Sequence, residues 1–309
     1  MEATPRIGRR RTDWWGVLFL AAIVFCLVAC FAFLLTLLGD VIRTGAPVFR
    51  ERAGDFLTGN LATRPEQAGV AQAIRGSLLL AAVVVVIAFP LGVATAVYLE
   101  EYAADTRLTR IITLNIRNLA GVPSVVYGLL GLAVFVQALG TDLAGGGLTG
   151  GRSLLAGGLT LAILVLPIVI ITASEAIRAV PANLREAGYG LGATRSEVVR
   201  TLVLPSAAPG VLTGTVLSLA RALGETAPLI LTGAVLTTYM SSRPVGLVEQ
   251  MRGDYTALPV VIYTWARQAK PAFKTELASA AILVLLAITV LCNLGAVLLR
   301  NRYERRRSG

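Results

Sequence analysis

Arg185-Glu186-Ala187-Gly188-Tyr189-Gly190-Leu191-Gly192, followed ten residues later by Leu202-Val203-Leu204-Pro205, is a polar, glycine-punctuated insert. It separates two stretches, 154–171 and 211–236, each apolar enough to cross a bilayer. A simple pore has no use for such an interruption. The stretch reads as a docking element on one side of a membrane, and the flanking segments as the part that moves something.

Composition agrees with a membrane setting. With 55% hydrophobic and 15% charged residues and a mean hydropathy of +0.73, the chain is more apolar than a soluble domain. A span needs roughly 20 mostly apolar residues, and six windows qualify: 14–38, 78–99, 119–139, 154–171, 211–236 and 277–299. The expectation is an all-α, polytopic membrane protein with six transmembrane helices and both ends on one side. The first window lacks a small-residue cleavage site, is too long for a secretory h-region, and starts at Trp14-Trp15, which suits an interfacial anchor, so it reads as a retained helix.

The net charge of +10 gathers at the ends, in Arg6, Arg9, Arg10 and Arg11 and in Arg300, Arg302, Arg305, Arg306 and Arg307. The positive-inside rule accounts for both clusters without nucleic acid and places both termini, with the 178–209 loop, in the cytoplasm. Loops near 40–75, 140–153 and 237–276 then fall outside. The last of these carries Arg243, Arg252, Arg267, Lys270 and Lys274 against that rule, although loops of this length weigh less in orientation. The chain divides into a basic tail, first transmembrane helix and outer loop over 1–72, a transmembrane domain over 73–299 that holds the 178–209 loop, and a basic tail over 300–309.

The sequence has no histidine, which excludes His-ligated metals and histidine triads, and no Cys or carboxylate cluster has metal-ligand spacing. Cys26, Cys30 and Cys292 fall within spans and read as small apolar packing. Pro90, Pro123, Pro167 and Pro228 lie inside the second to fifth windows as candidate helix kinks; each is either a packing feature or a gate. No internal repeat supports an inverted-repeat transporter. In the last outer loop Tyr239, Tyr255, Tyr263 and Trp265 accompany Pro244, Pro259 and Pro271. Residues 258–265 are too short to span and suit the interface or the outer mouth, where an external partner could also touch.

Within the insert, Asn183 with Glu186 and Thr194 with Glu197 each have capping-box spacing, predicting two short helices separated at Gly192. Val198, Val199, Leu202 and Val203 recur at helical spacing, and Leu204-Pro205 is expected to stop the second helix. Ala187, Gly188 and Gly190 keep the first helix thin, so that another protein could approach closely. A plain helical hairpin packed on the bundle, or a DNA-reading helix pair using Arg195 and Arg200, are the other readings.

The insert resembles the coupling loop of binding-protein-dependent ABC importer permeases: Glu-Ala-Ala, three residues, Gly, nine residues, an aliphatic residue, one more, then Leu-Pro. Glu186, Ala187, Gly188, Gly192, Leu202, Leu204 and Pro205 stand at matching positions, with Gly188 replacing the usual alanine. The resemblance implies a type I ABC importer permease fold and a loop seated in a groove of a cytoplasmic ATPase dimer. The only lysines, Lys270 and Lys274, do not follow the glycines of a phosphate loop. The chain is therefore expected to be a transport subunit rather than an enzyme and to bind no cofactor itself, with ATP and Mg on a separate ATPase.

Arg221 and Glu225 stand at i and i+4 in the fifth window and are expected to share one helix face, where each charge costs roughly 2.5 to 3.5 kcal/mol at bilayer centre. An exposed helical pair returns only about 0.3 to 0.5 kcal/mol. They read either as a buried structural ion pair or as part of an ion pathway, with Pro228 loosening the helix beside them by freeing the Gly224 carbonyl. An arginine fork suits an oxyanion, and the adjacent carboxylate tolerates a protonated one, which favours phosphate over sulfate. Arg178, at the inner end of the fourth window, is a further pathway candidate or a positive-inside flank.

The stretches Arg221-Ala222-Leu223-Gly224-Glu225-Thr226-Ala227-Pro228-Leu229 and Gly121-Val122-Pro123-Ser124-Val125-Val126-Tyr127-Gly128-Leu129 resemble the signatures of the phosphate-specific branch of these permeases. Of that importer's two homologous membrane subunits, the chain looks like the A-type. The resemblance implies a second, C-type permease subunit, the ATPase dimer and an extracytoplasmic phosphate-binding protein as partners, in a bacterial inner membrane. The alternatives are a permease for another oxyanion, such as sulfate or molybdate, and an ion-coupled secondary transporter with Glu225 as its coupling site.

Overall fold

Among the described residues, five helices are long and apolar enough to cross a membrane, and a sixth span forms if a pair bent by 101° is counted as one. The computed structural model describes residues 14–140, 147–234 and 246–305, and among these every regular element is helical. Arg6, Arg9, Arg10, Arg11, Tyr239, Arg243, Pro244, Arg306 and Arg307 lie outside the described residues.

The first helix, α1 (Trp14–Thr58), runs well past its apolar window, so much of the expected 40–75 loop is helical. Pro47 lies inside it, and it kinks at Arg52, whose guanidinium donates to the carbonyls of Glu66 and Ala68 in the following turn. None of its apolar window is buried within this chain, and Cys26 and Cys30 are exposed there rather than packed. Lower down it crosses the last helix at Gly45, where a Cβ would come within 2.9 Å of the Ala280 backbone nitrogen.

Helices α2 (Ala71–Val97) and α5 (Leu154–Arg178) pack side by side at the centre and continue unbroken through Pro90 and Pro167. Their contact depends on small residues: a Cβ on Gly158 or Gly92 would collide with Val83 or Val169. The third window is not one helix. α3 (Arg107–Ala120), capped by Thr106, ends at a Gly121-Val122-Pro123 elbow, and α4 (Ser124–Gly131) leaves at a steep angle and continues as a π-helical segment to Ala138. Pro123 lacks an N–H and disfavours helical torsions at Val122, so it breaks the span outright rather than kinking it.

The polar insert forms α6 (Ala182–Gly190) and α7 (Arg195–Val198). Leu204-Pro205 does not stop the second helix: a π turn over Val199–Val203 lets the chain continue directly into α8 (Leu204–Gly224). The Leu204 N–H reaches back to the Val199 carbonyl, and Pro205 falls in the first turn of α8, where its missing donor is harmless. The fifth span also departs from expectation at its other end. It stops at Gly224, and Pro228 sits in the first turn of a short new helix, α9 (Ala227–Leu231), instead of inside the old one.

After α10 (Leu247–Arg252), α11 (Leu258–Ala266) is too short to span, as expected, but it does not lie on the surface. Leu258, Val261 and Trp265 are buried with Phe56, Val70 and Phe273 in a cluster joining α1, α2 and α12 (Ala278–Arg305). Tyr255 is equally buried, whereas Tyr263 is exposed. Covering apolar area outweighs interfacial placement for these aromatics.

Candidate transport pathway and coupling hairpin

The charged pair sits at the broken end of α8. Ser218, Ala222 and Leu223 are buried against the core, which turns Arg221 to the opposite, open side. Glu225 follows the last helical residue with extended torsions (φ −75°, ψ 129°), so the pair does not share a helix face. The carboxylate nevertheless returns to within 3.4 Å of the Arg221 Nε, with the arginine side chain 46% exposed and the glutamate 17%. One edge of the guanidinium is engaged, and Arg221 has no other ion pair among the described residues.

The two signature stretches meet here. Gly128 of α4 lies against α9, where a Cβ would fall 2.9 Å from the Pro228 Cα and 2.7 Å from the Leu231 Cδ1. Tyr127 of the same helix is buried, and its hydroxyl donates to the Leu119 carbonyl across the elbow at 2.8 Å. The helix that follows one break therefore packs against the helix that follows the other.

Sequence reasoning missed the support behind this arrangement. The Tyr255 hydroxyl lies 2.8 Å from the Thr232 Oγ1 and 3.3 Å from the Leu229 carbonyl, and it covers Gly157 of α5. It ties the segment after the charged pair to the central helices. The Gly157-Gly158 pair within an apolar helix was the available signal of a close approach, but nothing in the sequence identified its partner.

The coupling candidates lie at the other end of α8. Thr194 and Glu197 form the expected capping box, with Thr194 N–H to Glu197 Oε2 at 2.7 Å and Glu197 N–H to Thr194 Oγ1 at 3.4 Å. The Asn183 box is absent: Pro181 opens α6, leaving Asn183 inside the helix instead of at its cap. Gly192 has φ +82° and makes the turn between the helices, a conformation that favours glycine.

Gly188 faces inward, not toward a visitor. A Cβ there would stand 2.8 Å from the Val198 Cγ2 and 2.9 Å from the Leu202 Cδ1, so the glycine lets the two arms of the hairpin close. Glu186, Ala187, Gly190 and Gly192 are exposed, and Leu191 at the tip is 89% exposed. Leu204 and Pro205 are half-buried at the root.

Arg185 fixes the hairpin to the bundle. Its guanidinium donates to the buried Glu101 carboxylate at 2.8 Å and to the Ile177 and Val180 carbonyls at 2.9 and 2.6 Å. Arg195 stacks over the Tyr102 ring at 5.3 Å. The hairpin is thereby tied to the end of α5 and to the segment Tyr98–Tyr102 that follows α2.

Arg178 is placed apart from the Arg221 pair. It makes a two-pronged contact with Glu100, at 2.7 and 3.2 Å, and lines a cleft of about 450 Å³ with Asp105, Arg110 and Arg117. Arg110 holds the Asp105 carboxyl below the usual range by hydrogen bonding and charge. Among the described residues no group of three His, Cys, Asp or Glu side chains could hold a metal.

A bundle of membrane-length helices with broken spans, an exposed hairpin and an open charged pair has the form of a membrane transport subunit, and the chain belongs to the family described as binding-protein-dependent transport system inner membrane component, whose model matches residues 88–309. Among its relatives, phosphate transport system permease protein PstA 1 of Mycobacterium tuberculosis (strain CDC 1551 / Oshkosh) is 37% identical over 245 residues, covering 79% of this chain and 75% of the relative. Phosphate transport system permease protein PstA of Xylella fastidiosa (strain 9a5c) is 34% identical, covering 77% of each.

Solved structures share the fold at low identity. An inward-facing MetNI methionine ABC transporter chain gives a TM-score of 0.55 at 16% identity, covering 78% of this chain and 99% of that one. A bacterial ABC transporter involved in import of the acidic polysaccharide alginate gives 0.57 at 15% identity, covering 94% and 96%.

Proposed function

We propose that this chain is the A-type permease subunit of an ATP-driven inorganic phosphate importer, forming half of a translocation pathway with a homologous C-type subunit. The observation that carries the reading is the half-exposed guanidinium of Arg221, engaged along one edge by Glu225 where α8 breaks and backed by a buried face. Such a fork leaves donors free for an oxyanion. A neighbouring carboxylate repels a fully ionised anion but accepts a hydrogen bond from one that keeps a proton, as phosphate does near neutral pH. The relatives named as phosphate permeases support the same cargo.

In this reading both termini and the hairpin face the cytoplasm, and an extracytoplasmic phosphate-binding protein delivers cargo from the other side. ATP and Mg bind a separate ATPase dimer, and this chain binds no cofactor. Glu186, Ala187, Gly188, Gly192, Leu204 and Pro205 form the coupling element, and Arg178 stands at the inner end of the route. Pro123 and Pro228 mark the breaks around which the spans rearrange, with Pro90 and Pro167 in the central pair. Coupling to ATP is needed because bringing a divalent anion into a cell about 100 mV negative costs roughly 4.6 kcal/mol, at 2.3 kcal/mol per charge.

Arg221→Gln removes the charge and keeps a polar, unbranched side chain. It should abolish phosphate uptake in cells while the variant still co-purifies with its partner subunits. Loss of the assembly would instead assign the pair a structural role.

A further inference from the structure

A cleft of about 240 Å³ opens between α8 and α12. On α8, Thr213, Val216, Leu217 and Ala220 line it at i, i+3, i+4 and i+7, and on α12 it is lined by Asn293 and Val297 and closed by Arg300. The two ends differ chemically. Arg300 Nη1 donates to Thr213 Oγ1 at 3.1 Å, placing a cation and a hydroxyl at one end. Above them the α8 wall is apolar for seven residues, or about 10 Å at 1.5 Å per residue, and the α12 wall adds Val297 with one amide, Asn293, at the far end.

Leu217 is 65% exposed and Val297 40% exposed, so an apolar partner must cover them in a membrane. The basic end continues outward through Arg302. An apolar trough about half a leaflet deep, closed by a guanidinium at the end where a basic tail begins, matches one acyl chain with its anionic headgroup. Free phosphate would engage the arginine but leave the trough bare.

We infer that this cleft is a binding site for one anionic phospholipid, with the headgroup phosphate on Arg300 and Thr213 and an acyl chain along Val216, Leu217 and Ala220. The site has a bearing on transport because Ala220 directly precedes Arg221. An occupied cleft braces the outer side of the helix that presents the pathway arginine, against the tail of α12.

The test is native mass spectrometry of the full complex, released from nanodiscs of phosphatidylcholine with a minor share of phosphatidylglycerol. The wild type should retain a phosphatidylglycerol that Arg300→Gln loses and Arg300→Lys keeps in part. Ala220→Leu fills the trough without touching the cation and should lose the same lipid. Arg110→Gln, a control at the exposed pair with Asp105, should retain it. Equal retention in wild type, Arg300→Gln and Ala220→Leu would overturn the proposal. So would a photoreactive group at Leu217 that crosslinks to another protein chain and never to lipid. Because the readout is bound lipid, it stands whether or not the cargo is phosphate.

Discussion

Gly128 and Arg221 show how much rests on single positions where two broken spans touch. Gly128 has no room for a side chain, since the backbone of α9 lies where a Cβ would go. Gly128→Val should push α4 off Pro228 and lower stability by about 1 to 3 kcal/mol, the usual cost of overpacking, which a thermal-shift measurement on the purified complex would register as a lower Tm. An unchanged Tm would mean that the contact is loose. The charged pair itself was legible, because a carboxylate and a guanidinium in an apolar stretch stand out against any background. Its geometry was not: i,i+4 spacing suggested one helix face, and the pair instead closes across a helix end. Gly188 was misread in a similar way, as a surface relaxed for a visitor, when Val198 and Leu202 occupy the space beside it.

At the scale of elements, the hairpin joins a rigid root to an exposed tip. Arg185, buried Glu101 and the ends of α2 and α5 hold the root, while Leu191 projects with almost no cover. A leucine this exposed on a capped, well-packed element suits a pocket in a partner. Leu191→Ser should therefore weaken retention of the ATPase during purification, with no loss of Tm because the side chain packs on nothing in its own chain. Full retention would place the docking contact elsewhere on the hairpin. The second capping box was readable because Thr194 and Glu197 act within one turn. The false box at Asn183 was not separable from it, since the same residue spacing occurs inside a helix once Pro181 has set an earlier start. The π turn that carries the chain past Pro205 and the clean breaks at Pro123 and Pro228 were equally hidden. Proline marks a place where helical hydrogen bonding must change, but neighbouring packing decides between a break, a bulge and an unbroken helix.

At the scale of the whole molecule, the spans, the insert and their order were legible from hydropathy alone, because a bilayer forces each span to satisfy its backbone internally. Burial of α11, Tyr255 and Trp265 was not, since local sequence cannot distinguish an aromatic at the interface from one closing a core. The architecture connects two ends of one helix: α8 carries the 182–198 hairpin at its start and Arg221 at its finish. In the proposed function, a pull on the hairpin reaches the charged pair along this one helix, and this connection spends ATP to move phosphate. It is tested most directly by uptake of labelled phosphate into proteoliposomes holding this chain with its second permease, ATPase and binding protein, in the presence of excess sulfate and a proton ionophore. Uptake should require ATP and be unaffected by either addition. Displacement by sulfate as effective as by unlabelled phosphate, or uptake that continues without ATP and collapses with the ionophore, would contradict it.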